Sequence, residues 1–342
     1  MPMERASLDF AHLPFAYHKT DANIRYRCSD GVWGPGELTS DETLTLHMAA
    51  TCLHYGQEIF EGLKVFERPD GRLQTFRLEE NARRFQRSAR KLLMEPVPED
   101  LFREAVHRVV LANRRFVPPY GSGASLYVRP LLLGSGAEVG VKPSSEYLFL
   151  VFVTPVGPYY KAGFTPVRLI VEEEIDRAAP GGVGDIKCGG NYAAGLRATM
   201  GAKEKGYSEV LYLDCREKKY IDESGSSNFF AIIGKRYVTP TSPSILPSIT
   251  NMSVRQLARD LGLAVEERPV SVDELGSVDE AGCLGTAAVI TPVEAVTYRG
   301  RDFVYAKDGN AGPLTQELYR RLTAIQLGEA PDPYGWTEVI PE

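Results

Sequence analysis

Histidine and cysteine are scarce in this chain and poorly placed for metal or disulfide chemistry. All five histidines (His12, His18, His47, His54, His107) fall within the first 107 residues, and none forms H-E-x-x-H. A histidine-dependent centre would have to be built from the first third alone, which argues against metal hydrolysis and Ser/His triads. No metal site is expected. The five cysteines (Cys28, Cys52, Cys188, Cys215, Cys283) are odd in number, far apart and without a C-x-x-C pair. That argues against a disulfide framework or zinc knuckle and fits a reducing compartment. Long apolar runs are missing too, none approaching the ~20 residues of a membrane helix. The opening MPMERASLDF places acidic residues where a signal peptide would be apolar. Basic charge is not in excess: 39 Lys+Arg against 45 Asp+Glu leave a net charge of −6. Such a chain lacks the field that holds a phosphate backbone, so nucleic acid is not an expected partner. A soluble, cytoplasmic protein is expected.

What is present is an ordinary globular composition, with 342 residues, 43% of them hydrophobic and 25% charged. At roughly 100–200 residues per domain, that length suggests two. No repeat or low-complexity tract interrupts it. Residues 80–94, ENARRFQRSARKLLM, carry Phe85, Ala89, Leu92 and Leu93 at helical spacing. A second helix is expected over about 99–114, opened by Pro98 and Glu99. SLYVRPLLLG (125–134) and EYLFLVFVTPV (146–156) read as strands, the second nearly continuous in apolar character. The Pro-, Gly- and Tyr-rich stretch after them marks an interdomain loop at 157–166, dividing a small domain 1–156 from a larger one at 167–342. A strand is expected at 167–173, a Gly-rich loop at 180–191, a helix at 192–205 and turn-punctuated strands over 209–238. A helix at 250–262, a strand at 264–270 and a turn at 282–287 complete the reading. The order is too irregular for a doubly wound parallel sheet.

Two Gly-rich segments invite nucleotide readings and fail them. In APGGVGDIKCGGNYAAG, Lys187 lies between Ile186 and Cys188, whereas a phosphate-cradling loop needs Gly-Lys-Ser/Thr. The run Gly134-Ser135-Gly136-Ala137-Glu138-Val139-Gly140 has the wrong spacing for a dinucleotide fingerprint. What the first loop supplies is one lysine among glycines, with Tyr192 five residues on. Alone, that pattern is equally that of a solvated turn lysine.

Six segments supply the independent pieces: LHYGQEIFEGLK (53–64), RLEENARRF (77–85), SLYVRPLLLG (125–134), YIDESGSSNFF (220–230), SILPSITNMSV (244–254) and LGTAAVITPV (284–293). In order and spacing they resemble the fold-type-IV, pyridoxal-phosphate-dependent aminotransferases. The match is nearest to the branched-chain amino-acid aminotransferases, especially the longer, eukaryote-like subgroup, and spans residues 20 to 340 or so. The resemblance implies an α+β, D-amino-acid-aminotransferase-like fold, with a small N-terminal α/β domain and a larger C-terminal domain around a β-barrel-like core. It also implies a cofactor, pyridoxal 5′-phosphate.

By the same resemblance Lys187 is the Schiff-base lysine, and Glu223 is the acid facing the pyridine nitrogen. Tyr192 donates to the ring hydroxyl, while Asp222 is expected to be a solvated turn carboxylate. Ile249 and Thr250 open a helix whose unpaired N–H groups and dipole suit a phosphate. Thr286, Arg84 and Arg177 complete that cradle. Tyr55, Phe60, Tyr127 and Tyr159 match the side-chain pocket, and Arg129 serves the γ-carboxylate of glutamate. Strand alternation puts Tyr127 and Arg129 on one face. Backbone N–H groups at Thr286 and Ala287 would take the α-carboxylate. Val141 matches a residue reaching the pocket from a second subunit, which implies a homodimer. Any one of these aromatics is equally a candidate for the core. Ser248 and Asn251 stand where the family often has Gly and Arg, and Ala-Val-Ile-Thr (288–291) replaces the redox-active C-x-x-C of the animal enzymes. Cys188 is expected to be packed and inert.

The implied activity is reversible, ping-pong transamination of L-leucine, L-isoleucine and L-valine with 2-oxoglutarate, giving branched-chain 2-oxo acids and L-glutamate. Within the fold, a D-amino-acid transaminase or aminodeoxychorismate lyase would reuse Lys187, Glu223 and Tyr192 with another pocket. Outside it, a non-catalytic nucleotide-binding protein could use the Gly-rich loops.

Overall fold

A computed structural model describes residues 4–157, 164–306 and 308–341. The chain forms two compact units. One comprises Met1–Lys161, Lys187–Gly189 and Ala324–Glu342; the other comprises Ala162–Ile186 and Gly190–Thr323.

The first unit is built on a nine-stranded antiparallel sheet. Its spine runs Thr337–Val339, Leu73–Phe76, Leu63–Glu67, Ser125–Gly134, Glu146–Val156, Asn23–Ser29 and Val32–Trp33. Ser125–Gly134 and Glu146–Val156 pair over their full shared length, from Ser125↔Val156 to Gly134↔Tyr147. The helices Leu78–Lys91 and Glu99–Ala112 bury their apolar stripes in this unit. Phe85, Phe102 and Phe149 meet there with ring centroids 5.4–6.0 Å apart, all at 0% exposure. Burying each ring is worth on the order of 2–3 kcal/mol, which is ample to fix the helices on the sheet.

In the second unit six strands close on themselves. The ring runs Asn228–Ile233, Glu280–Gly285, Val289–Tyr298, Val167–Glu172, Glu209–Leu213 and Tyr220–Ser224, and back to Asn228–Ile233. Val167–Glu172 is parallel to both neighbours and the remaining ring pairs are antiparallel. Glu223↔Asn228 is the pair that closes the barrel. The helix Gly189–Glu204 packs Ala198 and Ala202 against Val210 and Tyr212.

Several elements differ from the sequence expectation. The strands Asn23–Ser29, Leu63–Glu67 and Leu73–Phe76 were not anticipated, nor was the helix Pro313–Gln326. That helix opens on a proline suited to a first turn, and its amides at Leu314 and Thr315 donate to the Glu280 carboxylate from a barrel strand. Residues 282–285 are strand rather than turn, and the turn comes at 286–288. Gly282 reads as a turn residue but is needed mid-strand: a Cβ there would lie 2.4 Å from the Phe230 ring.

Candidate active site

In the first unit the lysine segment is fastened at three backbone points. The amide of Lys187 donates to Ser88 Oγ at 3.2 Å, and its carbonyl accepts from Phe60 N at 3.0 Å. Gly189 N donates to the Glu58 carboxylate. The ammonium end lies over the Phe60 ring, Nζ 4.6 Å from its centroid. Burial pushes the amine down to about 8, helped by the Arg84 guanidinium and opposed by Glu61 and Tyr127. That shift raises the share of neutral amine well above that of an ordinary lysine, and the neutral amine is the state a nucleophile or base requires.

Arg129 shares the ring. Its guanidinium carbon is 5.0 Å from the Phe60 centroid and 5.2 Å from that of Tyr127, and Nη2 donates to the Tyr127 hydroxyl at 3.2 Å. Its Nε is buried with no hydrogen-bond partner among the described residues. A buried orphan donor on a cation is what an incoming carboxylate would satisfy. Gly62 makes room for the phenol, since a Cβ there would lie 2.0 Å from the Tyr127 hydroxyl oxygen.

Arg84, expected on a phosphate, forks onto Glu61 with Nε–Oε1 at 2.6 Å and Nη2–Oε2 at 2.8 Å. Glu61 is fully buried and also accepts from Asn81 Nδ2 at 2.8 Å. Its carboxyl lies below the usual range: burial raises it, but the adjacent Arg84 and Lys187 cations prevail. Sequence reasoning missed Glu61. The signal was its adjacency to Gly62 in an apolar frame, but its partner lies 23 residues away. Tyr55, expected in the pocket wall, is exposed and gives its hydroxyl to the Val139 carbonyl. Val141 is 85% exposed. Tyr159 lies outside the described residues.

In the second unit Glu223 is buried at the barrel's closing pair. Its Oε1 accepts from Leu246 N at 2.8 Å and pairs with Arg177 Nη1 at 2.9 Å; its Oε2 accepts from Asn228 Nδ2 at 2.9 Å. Burial raises the carboxyl above its usual value, and Arg177 pulls it back toward the ionised form. A carboxylate offers about four acceptor positions. Three are taken by these partners, which leaves one for a further N–H. Arg177, expected as a second phosphate cation, also places Nη1 on the Ser244 carbonyl at 2.8 Å. Asp222 is likewise not solvated: it is 3% exposed and accepts from Ser242 Oγ at 2.8 Å, because the strand Tyr220–Ser224 lies inside the sheet.

Ile249 and Thr250 do open a helix, Ile249–Asp260. Ser248 is its N-cap, accepting from Asn251 N. The remaining first-turn amides and the dipole favour an anion. Thr286 and Ala287 fall in the turn at 286–288, closed by Val289 at φ +61, a costly conformation for a β-branched residue. Tyr192 is half-buried in the first turns of the helix Gly189–Glu204, and Cys188 is buried.

The model for amino-transferase class IV matches residues 58–296. The chain is 46% identical over 98% of its length to a chloroplastic branched-chain amino acid aminotransferase 2 of Humulus lupulus, covering 82% of that protein. It is 45% identical over 96% of its length to the branched-chain-amino-acid aminotransferase of Haemophilus influenzae, covering 98% of it. Among solved structures, the branched-chain amino acid aminotransferase of Escherichia coli superposes with a TM-score of 0.79 at 28% identity, over 94% of this chain and 100% of that one. The T.th. branched-chain amino acid aminotransferase, solved with pyridoxamine 5′-phosphate, gives 0.78 at 29% identity over the same shares. A family model matched over most of the chain and full-length relatives close to half identical settle the family: this chain belongs to the class IV aminotransferases.

Proposed function

We propose that this chain is a pyridoxal-phosphate-dependent branched-chain amino-acid aminotransferase, exchanging amino groups between L-leucine, L-isoleucine or L-valine and 2-oxoglutarate. The observation that carries the reading is the Phe60 ring, with the Lys187 amine and the Arg129 guanidinium both over it. An apolar side chain and a carboxylate tail must be accepted by the same pocket, and a phenyl surface beside an arginine with an orphan donor suits both. The names of the full-length relatives support the same activity.

The residues fit the cofactor: Glu223 keeps one acceptor position for a ring N–H, and the amides of Ile249 and Thr250 suit its phosphate. Arg84, Thr286 and Tyr192 are proposed as further contacts. Arg177 is proposed to act on Glu223. Bound there, pyridoxal phosphate supplies the electron sink that makes the substrate Cα–H acidic. Lys187, as the neutral amine, takes the Cα proton and returns it. Arg129 takes the γ-carboxylate of the acceptor, and Phe60 and Tyr127 line the apolar path. The backbone at Thr286 and Ala287 holds the α-carboxylate; Tyr159 is assigned to the pocket by resemblance alone. The two half-reactions alternate, one releasing a branched-chain 2-oxo acid and the other L-glutamate.

A homodimer is part of this reading, with Tyr55 assigned to the side-chain pocket and Val141 reaching the pocket of a second subunit. It is supported by the exposed apolar side chains Met48, Leu53, Tyr55, Val139 and Val141 in the first unit, with the Tyr55 hydroxyl bonded to the Val139 carbonyl. Exposed apolar side chains gathered in one place usually mark an interface. We place the protein in the cytoplasm, working as two domains divided near 157–166. No helix among the described residues is long and apolar enough to cross a membrane.

The test is the absorbance spectrum of purified protein before and after L-leucine. A visible band that leucine converts to a near-ultraviolet one, and 2-oxoglutarate restores, is expected. A band deaf to leucine but answering D-alanine would move the function to a D-amino-acid transaminase. No band after incubation with pyridoxal phosphate would sink the reading of Lys187.

A further inference from the structure

Asn251 stands between two parts of the proposed cofactor cradle, the helix start at Ile249 and the Glu223 carboxylate. It is the third residue of the helix Ile249–Asp260 and is 7% exposed. Its backbone amide is taken by Ser248 Oγ at 3.1 Å, which fixes the helix's first turn. Its side chain is engaged at both ends. Oδ1 accepts from the Tyr237 hydroxyl at 2.8 Å; Nδ2 donates to Thr239 Oγ1 at 2.9 Å and to Asn228 Oδ1 at 3.4 Å. Asn228 carries the line onward, donating from Nδ2 to Glu223 Oε2 at 2.9 Å and to the Leu246 carbonyl at 3.0 Å.

The chemistry of this line is specific to an amide at position 251. An arginine has donors only and could not receive the Tyr237 hydroxyl. Tyr237 and Thr239 are buried in a barrel-side strand, so the anchor end of the line does not move with solvent. Asn228 has its own carboxamide oriented by Asn251 on one side and by Glu223 and Leu246 on the other. Fully satisfied buried networks of this kind hold a single geometry, because any rotation leaves a polar group without a partner. Of the two Glu223 oxygens, Oε2 has Asn228 as its single partner among the described residues, so Oε2 is the oxygen with room for a ring N–H.

We propose that Asn251 is a positioning residue for Glu223: acting through Asn228, it aims Glu223 Oε2 at the cofactor's ring nitrogen and ties that aim to the helix turn that receives the phosphate. The proposal rests on the reading that Glu223 faces that nitrogen.

The experiment is a double-mutant cycle on the holoenzyme, using Asn251→Ala, Glu223→Gln and the double variant. Three readouts are taken: pyridoxal phosphate affinity of the apoprotein, the pH dependence of the visible band, and kcat and KM for leucine. Asn251→Ala is expected to shift the apparent pKa of the band and lower kcat about tenfold, the effect of one weakened hydrogen bond to a charged group. In the Glu223→Gln background it should add nothing to either, since interacting residues are non-additive. Equal shifts in both backgrounds overturn the proposal. So does a lowered melting temperature with the band and kcat unchanged, which is the result of a merely structural role. Where Asn251→Ala does not fold, Asn251→Asp keeps the shape and removes the Nδ2 donors, and the same non-additivity is required of it. A wild-type protein with no band at all overturns the functional reading and this inference together; a normal wild-type band with additive variants overturns the inference alone.

Discussion

Lys187 and Glu223 lie in different units of the chain and are tuned by the same force with opposite results. Burial is the first cause of each shift, and it disfavours charge. It drives the lysine down toward a neutral amine and the carboxyl up toward a neutral acid. The difference lies in the neighbours. Around Lys187, Arg84 works with burial while Glu61 works against it, so the amine settles near 8. Beside Glu223 the charged group in contact is Arg177, which works against burial and holds the carboxyl toward its anion. Burial prevails at both groups, and at Glu223 the Arg177 cation opposes it. A base needs the first shift, and the partner of a protonated ring nitrogen needs the opposing cation.

The comparison breaks most sharply at the lysine. Lys187→Ala should reduce turnover of leucine with 2-oxoglutarate by roughly 10²–10⁴-fold or more, the scale of a removed general base. A variant with near-normal steady-state rates would remove Lys187 from the chemistry. A smaller effect is expected from Gly62→Ala. The new Cβ would displace the Tyr127 phenol and with it the hydroxyl that Arg129 bonds. Overpacking of this kind costs about 1–3 kcal/mol, read as a lower denaturant midpoint. KM for 2-oxoglutarate should rise more than KM for leucine; equal changes would mean that Tyr127 does not support the carboxylate end.

The smallest effect is one of linkage. The folded Lys187 loses its proton near pH 8, whereas an ordinary lysine does so at 10.5. Between those values the unfolded chain holds more protons, so stability should rise with pH through that window. Lys64, also pushed down to about 8 by burial, contributes with the same sign. Urea midpoints of apoprotein between pH 7 and 10 should therefore climb. Lys187→Met should flatten the climb in part, by on the order of 1 kcal/mol. A slope unchanged in that variant would show that the folded lysine titrates normally.

Much of this site could be read before folding. The helix Leu78–Lys91 announced itself because its apolar residues repeat at 3.6, and Ser125–Gly134 because a strand-length apolar run carries Tyr127 and Arg129 two apart. The strand Leu63–Glu67 escaped because it hides Lys64 among buried neighbours and shows no alternation. Asp222 was misread for a related reason. Its acidic neighbourhood looks solvated in the sequence, and only the sheet on either side of it removes the water.

The sequence by itself determined which reactive groups this protein has and in what order they come: one lysine in a Gly-rich loop, a carboxylate before Ser-Gly-Ser-Ser-Asn, and a helix start at Ile249. Those depend on local spacing, which the chain carries with it. Tertiary structure alone decided which polar group answers which: Arg84 to Glu61, Arg177 to Glu223, and Asn251 to Asn228. Such pairings act through space, between residues 23 to 46 positions apart, and their strength comes from burial that exists only once the sheets have closed.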